Sequence, residues 1–129
     1  MFFQIIGIAF AGAIGTVARY GVGRFAVGFF GVGFPVGTFI VNLFGAFLFG
    51  IIAGLIANEW IGEYWKTILL TGLLGGFTTF SAFAYENQQL LANQKYLHLT
   101  INLLGQNILA ILAIILGLFI ANWLCSTAS

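Results

Sequence analysis

From Phe25 through Asn58 the chain carries no charged residue, and neither does the stretch from Thr67 through Tyr85. Phe2 to Ala18 is uncharged too, and beyond Lys95 only His98 can take up a charge. A helix needs about 20 consecutive apolar residues to cross the hydrocarbon core of a bilayer. Charge therefore divides the sequence into four stretches of that length, drawn here at about 2–25, 36–57, 66–92 and 99–123. The apolar runs are continuous rather than alternating, which points to helices and away from a barrel. The expected fold is an all-α membrane protein, one domain over residues 1–129 with four transmembrane helices. It is expected to be multi-pass in a cell membrane, inner or plasma, with the lipid bilayer as its surroundings.

Composition closes the soluble alternatives. The chain is 61% hydrophobic and 5% charged, against about 25% charged residues in ordinary soluble domains. A domain this small has too much surface for its volume to hide so much apolar area from water. The formal net charge of +1 suggests neither nucleic acid nor a strongly acidic partner. Asp is absent, and the acids are Glu59, Glu63 and Glu86. A single cysteine, Cys125, excludes an internal disulfide and a multi-cysteine metal site. The N-terminus, Met1-Phe2-Phe3-Gln4, lacks the basic start of a secretory signal, so the first span is expected to be retained.

The connections read as membrane interface. Gly28, Gly31, Gly33 and Pro35 break the chain after the first span, and the second should start near Pro35. Asn58 to Lys66 mixes charges with Trp60, Tyr64 and Trp65, as expected at headgroup depth. Asn93 to His98 is similar. Basic residues are nearly balanced across the membrane: Lys66 on one side, Arg24, Lys95 and Arg19 toward the other. The positive-inside rule thus leaves two options open, one fixed orientation or insertion both ways with antiparallel pairing.

Polar residues inside the spans are the candidates for function. Asn42, Ala46, Gly50 and Gly54 recur every four residues, so they share one ridge of the second span. Small residues at this spacing let helix backbones approach, and simple packing accounts for the glycines. Asn42 requires more, because an amide in lipid needs hydrogen-bond partners or a wet cavity; Thr38 lies one turn earlier on the same face. The third span contains Gly72 to Phe83, GLLGGFTTFSAF, in which paired glycines and paired threonines are poor mid-helix residues. A broken helix at membrane depth must satisfy its backbone with protein or water, and freed carbonyls or N–H groups can then hold an ion. A packing notch is the alternative reading. Phe80 and Phe83 share one face. They could be filler, or their positive ring edges could line a path for a small anion without a charge that traps it.

Three stretches carry a family resemblance: Gly12 to Tyr20 (GAIGTVARY), Pro35 to Gly45 (PVGTFIVNLFG) and Gly75 to Phe83 (GGFTTFSAF). Together they resemble the small Fluc (CrcB-like) fluoride channels, and the likeness runs over nearly the whole chain. It implies an antiparallel, dual-topology homodimer with two narrow pores. These would export, by passive electrodiffusion, fluoride that entered as HF and was trapped inside as the anion, giving fluoride resistance. By position, Asn42 is similar to the family's pore-lining amide, and Phe80 and Phe83 to its fluoride-facing rings. Ser81 and Thr38 resemble members of the polar track beside them, and Arg19 the vestibule arginine. The commoner use of an arginine at a helix end is as a snorkelling anchor. The backbone carbonyls of Gly75 and Thr78 resemble the ligands of a structural sodium ion (Na+) at the dimer centre. Ala82 departs from the pattern, which often has a hydroxyl there, so the polar track is expected to be shorter or completed elsewhere. Of Gln106 and Asn107 in the fourth span, the resemblance suggests that one lines the pore; packing bonds between helices are the alternative.

Two rivals stand beside this reading. A dual-topology, proton-coupled transporter needs a membrane-embedded carboxylate, and only Glu86 could serve, with no partner evident in the sequence. A non-transporting assembly subunit would need neither Asn42 nor the broken span. An enzyme is not expected: no catalytic constellation occurs, and Gly31 to Gly37 misses the dinucleotide-binding spacing.

Overall fold

The computed structural model describes residues 1–128 and is helical in all its regular elements, with no strand among the described residues. Helix α1 spans Phe2–Phe30 and α2 spans Val36–Ala57. The third crossing, Glu63–Ala92, is a composite: α3 (Glu63–Lys66), a π-helical segment (Thr67–Leu74), α4 (Gly75–Phe77) and α5 (Phe80–Ala92). Helix α6 spans Tyr96–Ala128. All four crossings are long and apolar enough to span a membrane, so this is a multi-pass membrane protein.

The helices are inside-out by soluble standards. In α1 only Gly15 and Ala26 are buried, and large apolar side chains such as Phe3, Phe10, Ile14 and Val17 point outward. A helix apolar all round belongs in lipid. At about 1.5 Å per residue, α2 is about 33 Å long and matches the hydrocarbon thickness. Helices α1 and α6 outrun it. They extend past the boundaries drawn from hydropathy, to Phe30 at the end of α1 and from Tyr96 to Ala128 in α6, because lipid thickness limits an apolar run but does not end a helix. What ends α1 is Gly31, with φ 71°, whose N–H caps the Val27 carbonyl at 2.9 Å; only glycine adopts that conformation freely. Pro35 then precedes the first residue of α2.

Packing follows the glycines. Helix α2 lies along α6, and α1 along the π segment and α4. A Cβ on Gly50 would collide with the Ile114 backbone, and one on Gly117 with the Phe47 carbonyl. Gly50 and Gly54 therefore serve packing against α6, the simpler of the two readings of that ridge. A second seam joins α1 to the third crossing, where Gly15 meets the Leu73 carbonyl and Gly76 meets Gly12. Backbones this close gain dispersion contacts that lipid tails do not match. The consequence for function is that the third crossing is clamped along α1 as far as Phe77, where its helix stops.

Candidate functional site

The third crossing breaks at two residues. Thr78 (φ −79°, ψ 158°) and Thr79 (φ −149°, ψ 116°) are extended, which suits β-branched side chains better than a helix does. Thr78 closes the helix before it, its N–H and Oγ1 both reaching the Leu74 carbonyl at 2.9 Å. Thr79 opens α5 as its N-cap, Oγ1 accepting from the Ala82 N–H at 3.2 Å, the role for which Ser, Thr, Asp and Asn are favoured.

Asn42 holds the break. Its Oδ1 accepts from the Thr79 N–H at 2.8 Å, and its Nδ2 donates to the Thr79 carbonyl at 3.0 Å. The side-chain amide thus replaces the neighbouring strand that an extended residue would otherwise need. The second Nδ2 hydrogen goes to Gln106 Oε1 on α6 at 2.8 Å. Arg19 reaches the same place from α1, donating from Nη1 to the Thr78 carbonyl at 3.1 Å. Arg19 therefore crosses to the break instead of running to a helix end.

Around this point lie three hollows. A groove of about 360 Å³ is bordered by Asn42, Gly45, Phe49, Thr78, Thr79, Phe80, Phe83, Gln106, Asn107 and Ile111. Phe83 is buried at 8% exposure while Phe80 is 77% exposed; their ring centroids are 5.6 Å apart at an interplanar angle of 44°. Across the break, a second cavity is bordered by Arg19, Thr38, Thr79, Ser81 and Ala82. A third, toward the membrane face, is bordered by Gly31 to Thr38, Glu86, Gln89, Asn93 and Lys95. The second and third share Gly23, Gly37 and Thr38, so Thr38 stands at their junction.

Of the residues singled out in the sequence, Asn42, Phe80, Phe83, Gln106 and Asn107 border the first groove, and Thr38, Ser81 and Arg19 the second cavity. Ser81 Oγ lies 3.4 Å from Thr79 Oγ1. Gln106 bonds to Asn42, whereas Asn107 turns its Nδ2 back onto the Leu103 carbonyl at 2.6 Å. Glu86, for which the sequence suggested no partner, has one: Thr38 Oγ1 donates to its Oε1, while Oε2 is buried with no hydrogen-bond partner among the described residues.

The sodium proposal meets a mixed donor set. In an unbroken helix the Thr79 N–H would bond to the Gly75 carbonyl; it goes to Asn42 instead, which frees that oxygen. The Thr78 carbonyl carries one guanidinium N–H and keeps its second lone pair. Two neutral oxygens suit a hard monovalent cation, and the remainder of a coordination shell would have to come from elsewhere.

Sequence reasoning missed Asn87 and Asn102. Both are buried, Asn102 at 0% exposure and Asn87 at 8%, in a network with Gln106. The signal was present in the spacing: Asn102 lies four residues before Gln106, hence on the same helix face, whereas Asn107 does not.

Comparison with known proteins places the chain. Residues 6–118 match the family described as CrcB-like protein, Camphor Resistance (CrcB). A protein of Nitrosococcus oceani named fluoride-specific ion channel FluC is 42% identical over 124 residues, covering 95% of this chain and 98% of its own. A protein of the same name from Chloroflexus aurantiacus is 40% identical over 121 residues, covering 93% and 96%. One from Vibrio cholerae is 40% identical over 126 residues, covering 96% and 98%. With the family matched over most of its length and relatives aligned nearly end to end, this chain belongs to the CrcB-like family.

Proposed function

We propose that the chain is the subunit of a fluoride-selective channel that lets the anion leave the cytoplasm down its electrochemical gradient. The observation that carries this reading is the Asn42 clasp on Thr79, which holds the Phe80–Phe83 segment beside a groove walled by rings and amides. The fluoride channels named among its relatives support the choice of ion.

The chemistry follows from hydration. Fluoride is small and strongly solvated, so a passage must supply donors in place of water. The Ser81 hydroxyl, the second amide hydrogens of Gln106 and Asn107, and the ring edges of Phe80 and Phe83 offer that without a formal charge, while Asn42 spends both of its amide hydrogens on Thr79 and Gln106 and holds the segment in place. Phenyl edges carry the positive end of the ring quadrupole. Neutral donors bind tightly enough to admit the ion and weakly enough to release it. Arg19, bonded to the Thr78 carbonyl, adds positive potential at the vestibule, and Thr38 stands where the second and third cavities meet.

A second copy of the chain completes the site in this reading. Phe80 is largely uncovered, and the groove beside it needs a further wall. An antiparallel homodimer, with both orientations in the bilayer, would give two equivalent grooves, each closed by the other copy. The Gly75 and Thr78 carbonyls of both copies would hold the sodium ion, which offsets inward-pointing carbonyl dipoles.

The test is fluoride efflux from liposomes containing the purified protein, followed with an ion-selective electrode. Fluoride release without chloride release, and without a proton gradient, is expected. Movement that requires a proton gradient would place Glu86 at the centre of a coupled transporter.

A further inference from the structure

Five hydrogen bonds form a one-way chain that begins and ends on the segment carrying the phenylalanines. The Thr79 N–H donates to Asn42 Oδ1 at 2.8 Å. Asn42 Nδ2 donates to Gln106 Oε1 at 2.8 Å, and Gln106 Nε2 to Asn102 Oδ1 at 2.8 Å. Asn102 Nδ2 donates to Asn87 Oδ1 at 3.1 Å, and Asn87 Nδ2 to the Phe83 carbonyl at 2.9 Å. Four side-chain amides from α2, α6 and α5 thus bracket Thr79–Phe83 at both ends.

The polarity of the bracket is forced. At one end a backbone N–H demands an acceptor, and at the other a backbone carbonyl accepts a donor. Each amide between them has to turn its oxygen toward Thr79 and its nitrogen toward Phe83. A flipped amide would oppose two oxygens or two NH2 groups inside the helix bundle, where unpaired polar groups are costly. Apolar side chains would pack α5 against α6 as well, without fixing a direction. What the amides add is a single orientation for the peptide units on either side of Phe80 and Ser81.

We propose that Asn87 and Asn102, with Gln106, are positioning residues that hold Thr79–Phe83 in one conformation and through it set the fluoride flux. The flux half of this proposal rests on the channel reading above; the conformational half does not. The two halves are separated by measuring thiol reactivity of Ser81→Cys in a Cys125→Ala background alongside fluoride efflux of chains with Ser81 intact. Each is measured with and without Asn102→Leu, which keeps the branching of the side chain and cuts two links of the bracket.

With Asn102→Leu, the thiol modification rate should change several-fold and efflux per reconstituted protein should fall about ten-fold, the scale of one lost buried hydrogen bond. The double variant Asn87→Leu/Asn102→Leu removes one orphaned partner. It should recover thermal stability in detergent, because replacing both partners by apolar groups is much less disruptive than replacing one. It should recover neither the modification rate nor the efflux. A wild-type modification rate in Asn102→Leu overturns the proposal, as does recovery of all three properties together in the double variant. An altered rate with wild-type efflux keeps the positioning role and removes this segment from the fluoride path.

Discussion

The Arg19 guanidinium donates to the Thr78 carbonyl at 3.1 Å, joining the first crossing to the residue at which the third stops being helical. Hydrogen bonds to charged groups contribute about 1.5–3 kcal/mol. Arg19→Gln should therefore loosen the break, lower fluoride efflux on the order of ten-fold and leave the helix content unchanged by circular dichroism. Arg19→Lys should recover part of the flux, since an ammonium keeps the charge but loses the planar fork.

Phe80→Ile and Asn42→Ala test the proposed passage. Both should lower fluoride efflux by at least about ten-fold, the rate equivalent of roughly 1.4 kcal/mol. The oligomer in size-exclusion chromatography should remain. Unchanged flux in both would take these residues out of the path.

Gly117→Val tests the α2–α6 seam at a residue that does not itself border the groove. A Cβ at Gly117 meets the Phe47 carbonyl and the Ile51 N–H, neither of which is a side chain able to swing aside. Overpacking of this kind costs about 1–3 kcal/mol, so the midpoint of thermal unfolding in detergent should drop. The fluoride-to-chloride ratio of whatever protein survives should match the wild type.

Glu86→Gln separates channel from coupled carrier. The glutamine can still accept the hydrogen bond from Thr38 but cannot exchange a proton. Fluoride efflux within about three-fold of wild type is expected, since a kept hydrogen bond changes the balance by well under 1 kcal/mol. It should respond no differently to an imposed proton gradient; abolished efflux would favour the carrier.

Dual insertion is read by labelling. A cysteine placed in the connection after Ala57, with Cys125 replaced, should react with an impermeant reagent from both sides of the membrane. Labelling from one side only contradicts the antiparallel pairing.

Much of the architecture was legible because lipid imposes a simple rule on the chain. Four uncharged stretches became four crossings, since any other backbone would strand polar groups in hydrocarbon, and the Gly-Gly-Phe-Thr-Thr run, poor in helix formers, became the break and not merely a packing notch. Helix ends were less legible. Hydropathy stops at the headgroups, whereas α1 continues to Phe30 and α6 to Ala128. The π segment over Thr67–Leu74 has no composition of its own, and Gly72 within it seats against Ile8 and Ala11 of α1. At the site, Asn42 was identifiable as an amide in lipid, but its grip on both backbone groups of Thr79 depends on where two distant helices meet. Asn87 escaped notice because it sits in the polar end of α5, among Glu86, Gln88 and Gln89, where an amide looks unremarkable until α6 covers it. The Thr38–Glu86 contact likewise joins residues with no relation in spacing.

The wide helical turns of Thr67–Leu74 give the third crossing a place where residue count can change. A π turn takes in about one residue more than an α turn. Deleting a single apolar position there would let the coil tighten to ordinary geometry. Because the tighter turn takes up the loss, the residues upstream would keep their rotation relative to the break. A one-codon loss in this stretch should therefore be milder than the same loss inside α2 or α6, where each residue removed turns the helix face by about 100°.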